Sequence, residues 1–217
     1  MNGKKQVTYR SYIVSPFHNI SCVVFSIYAM FFVCGLGPDG ENVTVFNSSE
    51  CFTTPRYLHI WAVFNSCGYF YVDFIYMCFI VAEHTALDVQ LYVHHLITIG
   101  SFYLTVVLMS FQLVFGVIML FIEVSTSFNS IRWMMYVHHL SDSVWYAVNT
   151  VLFAIFFLGA RILYMSYIIF ALGLPNLIDF FKQSGNKWFE YTIMIQGVVA
   201  VSMAMLINFY WMYLIGH

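Results

Sequence analysis

Charged residues are scarce in this sequence. Only 8% of its 217 residues are Asp, Glu, Lys or Arg, and 61% are hydrophobic. Soluble domains carry about 25% charged residues, so this deficit excludes an ordinary soluble fold and is typical of a chain that lies in a membrane. The formal net charge is −2, which provides no basic surface for nucleic acid. We therefore expect a membrane protein without a nucleic-acid partner.

Cysteine is also sparse, and five cysteines cannot form a complete set of pairs. Cys22, Cys67 and Cys78 lie in apolar runs, where a free buried thiol is the ordinary interpretation. Cys34 and Cys51 flank the first polar loop and would pair if that loop faces an oxidising compartment. We expect no metal and no cofactor.

Long apolar runs predict an all-α polytopic membrane protein, with a bundle of about six transmembrane helices in a single domain over residues 1–217. A span needs about 20 apolar residues. The stretch between Asp88 and Glu123 has no charged residue and is too long for one helix, so we divide it near Ser110. The predicted spans are 18–36, 58–82, 90–109, 112–131, 143–171 and 190–214.

Two further signals surround the fifth span. Ser141, Asp142 and Ser143 precede it and are good N-cap residues. The segment PNLIDFFKQSGNK follows it and predicts a short interfacial helix that Pro175 opens.

Five ionisable side chains lie deep in the apolar runs: Asp73, His94, His95, Glu123 and Arg161. A charged group at the centre of a lipid-facing helix costs roughly 2.5–3.5 kcal/mol. Four such groups, with the adjacent histidines counted as one, would cost on the order of 10 kcal/mol, comparable to a protein's whole net stability of about 5–15 kcal/mol. We therefore expect these side chains to face the interior of the bundle.

Depth along the helices groups most of these residues in one layer, measured from the side of the N-terminus, which we call the inner side. At about 1.5 Å per residue, Asp73 is roughly 13 Å deep and Glu123 roughly 12 Å. The adjacent histidines are roughly 6–8 Å deep and Asn208 roughly 9 Å. Arg161 lies roughly 27 Å from the inner start of the fifth span, so we expect it in the opposite half, at the outer interface or lining the outer bundle.

Spacing within single helices also favours an inward orientation. Tyr69, Asp73 and Tyr76 follow at i, i+4 and i+7 on one face of the second span. His94 and Thr98 share a face of the third span at i and i+4. The inner half of the bundle should therefore present carboxylates, imidazoles, phenols and hydroxyls to one another.

Six motifs occur in order along nearly the whole chain: SPFH at 15–18, GYFYVD at 68–73, HHLIT at 94–98, EVSTSFNSIRW at 123–133, RI at 161–162 and NFYW at 208–211. Together they resemble the TLC-domain family, named for its translocon-associated, ceramide-synthase and ceroid-lipofuscinosis members. The resemblance implies six or so helices around a lipid-accessible cavity. It also implies an internal membrane, the endoplasmic reticulum or a related endomembrane, with the mitochondrial inner membrane as the alternative.

Within that family, the chain is similar to the TLC-domain-containing members rather than to the ceramide synthases. The synthases carry a His-Asp-x-Ser-Asp element where this chain has Ile122, Glu123 and Thr126. Glu123 replaces the first aspartate and Thr126 replaces the second, so a reaction that needs both acids lacks one of them. We do not expect ceramide synthase activity, and whether the chain is an enzyme stays open.

The resemblance implies an integral membrane lipid-handling protein that binds, senses or remodels acyl lipids, with one histidine of the 94–95 pair as a general base or acyl-handling group. The candidate catalytic residues are His94, His95, Asp73 and Glu123. The candidate contacts to a lipid or its head group are Tyr69, Tyr76, Thr98, Asn129, Arg132, Arg161, Asn208 and Trp211. The expected partners are membrane lipids with phospholipid or sphingolipid acyl chains, and other membrane subunits.

Three alternatives remain open from the sequence. The same polar residues could serve only to join helices by hydrogen bonds. The chain could be a structural accessory subunit of a larger membrane complex, with bound lipid and no catalysis. A bis-histidine haem protein is a third alternative, although adjacent histidines on one helix point about 100° apart and suit two-sided ligation poorly.

Overall fold

The computed structural model describes residues 3–81, 86–108, 111–183 and 188–216. Their regular structure is helical, apart from one antiparallel bridge between Leu36 and Asn42, which confirms the all-α prediction. The helices are α1 Gly3–Phe31, α2 Ser49–Thr53, α3 Tyr57–Tyr76, α4 Ala86–Leu108, α5 Phe111–Met119, α6 Glu123–Val137, α7 Val144–Phe156, α8 Met165–Tyr167, α9 Leu174–Gln183 and α10 Trp188–Gly216.

Other helical turns join several of these elements into longer rods. A 3₁₀ turn, Leu120–Ile122, connects α5 to α6, and a π-helix, Met77–Val81, extends α3. Two more π-helices, Phe157–Tyr164 and Ile168–Gly173, lie on either side of α8. As a result, α5 and α6 form one continuous rod, and the segment from α7 to α9 forms another.

Within the described residues, five single or joined helices are long and apolar enough to cross a membrane. They lie within Val14–Phe31, Tyr57–Ile80, Gln112–Val137, Val144–Asp179 and Ile195–Tyr213. α4 packs against both α3 and α10. Its 23 residues extend about 34 Å, which exceeds a hydrocarbon core of about 30 Å. The chain is therefore a multi-pass helical membrane protein.

The predicted spans agree with the helices at many of their ends, and the main exceptions are α1, α6 and the rod from α7 to α9, which continues to Gln183 instead of ending at 171. α1 begins at Gly3 and includes Pro16, well before the predicted start at 18. α6 continues to Val137 instead of ending at 131. Its last turns carry Arg132 and Trp133, which belong to a membrane interface, so the apolar run ends before the helix does.

α1 packs one face against α3, α5 and α6 and leaves the other face exposed. Cys22 and Ala29 from α1 and Ala62 from α3 are fully buried in one core cluster. Small side chains of this kind let helix backbones approach closely inside a membrane. Phe70 and Phe102 extend the same cluster to the contact between α3 and α4.

A disulfide-closed loop covers the outer end of the bundle. Cys34 and Cys51 are bonded, which confirms that the two cysteines of this loop pair. Val45 and Phe52 from the loop are buried in a second core cluster with Ile118 of α5. The loop is therefore packed against the helices and not only tethered to them.

Of the two signals around the fifth span, the N-cap is confirmed. Ser143 caps α7, and its side chain accepts a hydrogen bond from the backbone N–H of Tyr146. The separate short helix predicted from Pro175 is wrong in its start, because α9 begins at Leu174 and continues the rod without a break, with the apolar span reaching Asp179.

Candidate functional site

A cavity of about 370 Å³ lies inside the bundle, between α4, α5, the segment from α8 to α9, and α10. Its wall is mostly apolar and includes Phe70, Phe102 and Met165. The inner part of the wall carries His94, Thr98 and Glu123, and the outer part carries Ser101, Gln112 and Gln196. The cavity thus has a mostly apolar wall, with one set of polar groups in its inner part and another in its outer part.

The adjacent histidines have different surroundings. His95 is buried, with its Nε2 3.1 Å from Asp73 Oδ2 and its Nδ1 2.8 Å from the carbonyl oxygen of Leu91. Both partners are hydrogen-bond acceptors unless the carboxyl is protonated. Satisfying both bonds requires either an imidazolium opposite a carboxylate or a neutral imidazole opposite a carboxylic acid. In either state the pair is electrically neutral and both ring nitrogens are engaged.

His94 lines the cavity. Its side chain points away from that of His95, because consecutive side chains on a helix diverge by about 100°. Its ring meets Phe70 edge-on at 6.4 Å between centroids and Trp211 at 6.0 Å. Among the residues that the structure describes, none hydrogen-bonds to this ring. His94 is therefore the member of the pair that can bind something in the cavity, whereas His95 is not available to a ligand or to haem iron.

Glu123 and Arg161 form a buried ion pair behind the inner end of the cavity. The distance from Arg161 Nη2 to Glu123 Oε1 is 3.6 Å. The guanidinium also donates hydrogen bonds to Ser125 Oγ at 2.9 Å, to Thr126 Oγ1 at 2.7 Å and to Asn208 Oδ1 at 3.1 Å. One arginine therefore connects α6, the α7–α9 rod and α10.

This geometry contradicts the prediction that Arg161 lies in the opposite half of the bundle. The prediction measured the depth of Glu123 from a helix end at 131, but α6 continues to Val137. The added length places Glu123 roughly 21 Å from the inner end of α6, and Arg161 lies roughly 26 Å from Val144 at the start of α7. The two side chains are at nearly the same depth, so Arg161 is a partner of Glu123 and not an interface residue.

Arg161 lies in the π-helical segment Phe157–Tyr164. π-Helical turns are rare and occur frequently at functional sites. The guanidinium also lies over the rings of Phe157, at 5.6 Å, and Trp211, at 5.7 Å. Aromatic faces and hydroxyls thus surround the charge inside the bundle.

The C-terminal part of α10 closes the inner end of the cavity. Trp211 Nε1 donates to Gln90 Oε1 of α4 at 3.1 Å. Asn208 is buried, accepts from Arg161 and lies against Met165, with its Nδ2 3.4 Å from the sulfur. These contacts join α10 to α4 and to the α7–α9 rod near His94.

A second polar group lies in α1 and α3, on the other side of Phe70 from the cavity. His18 is buried and stacks on Tyr69, with 3.8 Å between ring centroids. Its Nε2 is 3.2 Å from Cys22 Sγ, which lies 3.4 Å from Ser66 Oγ. Tyr69 is therefore a helix-packing partner of His18.

The remaining predicted site residues lie outside the cavity wall. Arg132 is placed over the ring of Phe153 at 4.9 Å, near the inner end of α6. Tyr76 and Asn129 are half-buried and do not line the cavity. Of the predicted site residues, only His94, Thr98 and Glu123 line it.

The sequence prediction missed the outer polar groups of the cavity. Gln196 Nε2 donates to Ser101 Oγ at 2.8 Å, across from α10 to α4. Gln112 lies against Gly197, where an added Cβ would be 3.0 Å from Gln112 Nε2. Each glutamine lies in an otherwise apolar run, and this signal could have identified both residues because polar side chains in such runs turn inward.

In comparisons with known proteins, the family model described as TLC domain matches residues 10–217, nearly the whole chain. No curated protein and no solved structure matches the chain.

Proposed function

The chain belongs to the TLC-domain family, and we propose that it binds one chain of a membrane lipid in the intramembrane cavity. The polar group of that lipid would lie at the inner end, against His94, Thr98 and Glu123. The family associates the chain with membrane lipids in general. The finer assignment to this cavity depends on the contacts of its wall.

The observation that carries the proposal is the contrast between the wall and the inner end of the cavity. Small-molecule sites are concave, mostly apolar and about 300–1,000 Å³, with a few polar groups that fix orientation. This cavity, of about 370 Å³, has such a wall and gathers an imidazole, a hydroxyl and a carboxylate at one end. A single hydrocarbon chain with a polar terminus matches that distribution.

Binding fits this geometry better than acid–base catalysis by several groups. His95 and Asp73 contact one another, and Glu123 already faces the Arg161 guanidinium. Thr126, where the ceramide synthases have an aspartate, accepts a hydrogen bond from Arg161. Of the four candidate catalytic side chains, His94 and Glu123 line the cavity. Glu123 has an ion-pair partner, and among the described residues His94 has none. A lipid-binding or lipid-sensing role requires nothing more than this.

The disulfide-closed outer loop supports placement of the protein in an endomembrane such as the endoplasmic reticulum. Disulfides persist in oxidising compartments, so the Cys34–Cys51 bond would put this loop on the lumenal side. The loop also carries two exposed asparagines in glycosylation sequons, Asn42 and Asn47. The inner side, with the polar layer closer to it, would then be cytosolic.

Lipid analysis after a mild purification tests the proposal. The full chain is extracted in a gentle detergent, and the retained lipids are identified by mass spectrometry for the wild type, His94→Ala and His138→Ala. His138 is exposed and lies beyond α6, which makes it a matched histidine control. We expect one lipid class to be enriched with the wild type and His138→Ala and depleted with His94→Ala. Identical lipid profiles in all three proteins, at equal yield of folded protein, would contradict the proposal.

A further inference from the structure

The mouth of the cavity is shown by residues that both line it and are exposed on the outside of the bundle. Phe170 and Leu174 from the α7–α9 rod line the cavity and are 62% and 43% exposed. Val198 on α10 lines it and is 46% exposed. These three side chains belong to two rods that border the same opening. The polar Ser202 on α10 also lines the cavity and is exposed. The cavity therefore opens sideways, through a rim that is apolar apart from this one hydroxyl, toward the hydrocarbon of the membrane.

The inner polar end of the cavity, with His94, Thr98 and Glu123, is far from this mouth, whereas the outer polar pair Gln196 and Ser101 lies close to it. Val198 and Asn208 are ten positions apart on α10, which corresponds to roughly 15 Å along the helix. Phe170 and Arg161 are separated by roughly 14 Å along the other rod by the same measure. The contacts Trp211–Gln90 and Arg161–Asn208 tie the helices together at the inner end.

From this arrangement we infer that the lipid enters with its polar end first and leaves its hydrocarbon tail in the mouth. We also infer that the polar end is small and uncharged, as in a single-chain lipid with a hydroxyl group. This inference rests on the proposed function, because it names the class and the direction of the lipid that would occupy the same cavity.

The apolar mouth supports a small and uncharged polar end. A hydroxyl that loses water without a new partner costs about 1–3 kcal/mol in proteins, whereas an isolated ion costs far more. A phosphate or a choline group would have to cross the rim formed by Phe170, Leu174 and Val198 without its hydration. A hydroxyl can cross the same rim and regain a hydrogen bond at the inner end.

The charges at the inner end support the same class of lipid. Glu123 lines the cavity, while its partner Arg161 lies behind it and is not part of the wall. An anionic head group would meet the carboxylate before the guanidinium. His94 can donate or accept through its ring nitrogens, and the Thr98 hydroxyl, which donates to the carbonyl of His94, can still accept. A hydroxyl, which both donates and accepts, matches these groups.

Photo-crosslinking measures the direction of the bound lipid. Two sixteen-carbon fatty alcohols are used, one with a diazirine near the hydroxyl and the other with a diazirine near the terminal methyl. Each is added to the full chain in lipid nanodiscs, and the labelled peptides are mapped by mass spectrometry. We expect the methyl-end probe to label residues around Phe170 and Val198, and the hydroxyl-end probe to label residues around His94 and Met205.

The outcomes separate the inference from the proposed function. The reversed labelling pattern would overturn the inference while leaving a lipid in the cavity. Labelling of no cavity residue by either probe would overturn the inference, while the proposed function would fall only if the retained-lipid profiles were also identical in the wild type and His94→Ala. Competition adds an independent measurement: a lysophosphatidylcholine of equal chain length should displace the probe at least about tenfold more weakly than unlabelled fatty alcohol, and equal or stronger displacement would overturn the inference.

A pair of neighbouring variants tests the position of the mouth. Val198→Trp should reduce labelling by both probes because the larger side chain narrows the rim. Val199→Trp is the matched control, since Val199 is exposed and does not line the cavity. If both variants are folded and the probes label them to the same extent, the mouth does not lie at Val198.

Discussion

Arg161 and Glu123 face one another inside the membrane-spanning bundle, 3.6 Å apart, and both side chains are almost completely buried. A buried pair of this kind adds little net stability, but the loss of one partner leaves an uncompensated charge. Because Arg161 also donates to Ser125, Thr126 and Asn208, the pair joins three rods next to the cavity. The ion pair therefore holds the inner end of the lipid site in shape.

Breaking this pair should destabilise the protein strongly. Arg161→Met or Glu123→Gln should each lower the free energy of unfolding by about 3–5 kcal/mol, the usual cost of leaving one buried charge unpaired. The double variant, Arg161→Met with Glu123→Gln, should lose less free energy of unfolding than the two single variants together, because no unpaired charge remains. Thermal unfolding in detergent, followed by tryptophan fluorescence, gives the comparison. Arg132→Met, at the inner end of the same bundle, is the control, and an equal loss in that variant would contradict the special role of Arg161.

The two histidines should respond differently to truncation. His95→Ala removes the imidazole that hydrogen-bonds to the Asp73 carboxyl, whose side chain is only 15% exposed, so we expect a loss of about 1–3 kcal/mol in stability, the usual cost of one lost partner of a buried polar group. Asp73→Asn in the His95→Ala background should recover part of that loss because it removes the carboxylate. His94→Ala should unfold near the wild-type temperature. Equal destabilisation by His94→Ala and His95→Ala would show that His94 is also a packing residue.

The size of the cavity should depend on a glycine in its outer wall. A Cβ at Gly173 would be 2.9 Å from Cε2 of Phe115, so Gly173→Ala should push this ring into the cavity. We expect reduced lipid retention at a stability cost of about 1–3 kcal/mol. Gly159→Ala is the matched control, because Gly159 also lies in a π-helical segment of the same rod and a Cβ there meets nothing within 4 Å. Equal lipid retention by the two variants would place the ligand elsewhere.

The disulfide provides a prediction about the outer loop. Cys34 and Cys51 are 17 positions apart, and closure of a loop of this length contributes about 3 kcal/mol in the chain-entropy account. The double Cys→Ser variant should therefore unfold at a lower temperature than the wild type. A maleimide-polyethylene glycol reagent applied to the unfolded, unreduced protein should modify the three free cysteines, and after reduction it should modify all five. Modification of every cysteine without reduction would contradict the bond.

Much of the fold could be predicted from the sequence because membrane spans depend on long apolar runs, which are local features. The proximity of Asp73 and His95 followed from similar depth in neighbouring spans. The place of Arg161 could not be predicted, because depth must be measured from the helix end, and α6 continues through interface residues to Val137. Less than two extra turns of helix was enough to move Glu123 by roughly 9 Å relative to the assumed end.

The choice between His94 and His95 also lay beyond the sequence. Both are in the same motif, and the rotation of α4 about its axis decides which one faces Asp73 and which one faces the cavity. That rotation depends on contacts with Phe70 and Trp211, which are distant in the sequence. The cavity itself arises where glycines such as Gly173 leave room beside large rings, and a pattern of apolar residues does not reveal such a gap.

The most direct test of the lipid site is the affinity of a single-chain fatty alcohol for the full chain in nanodiscs, compared between the wild type, His94→Ala and His138→Ala. We predict that His94→Ala weakens binding by roughly tenfold, the effect of losing about 1.4 kcal/mol of hydrogen bonding to the ligand, while His138→Ala binds as the wild type does. Wild-type affinity in a folded His94→Ala protein would contradict the account.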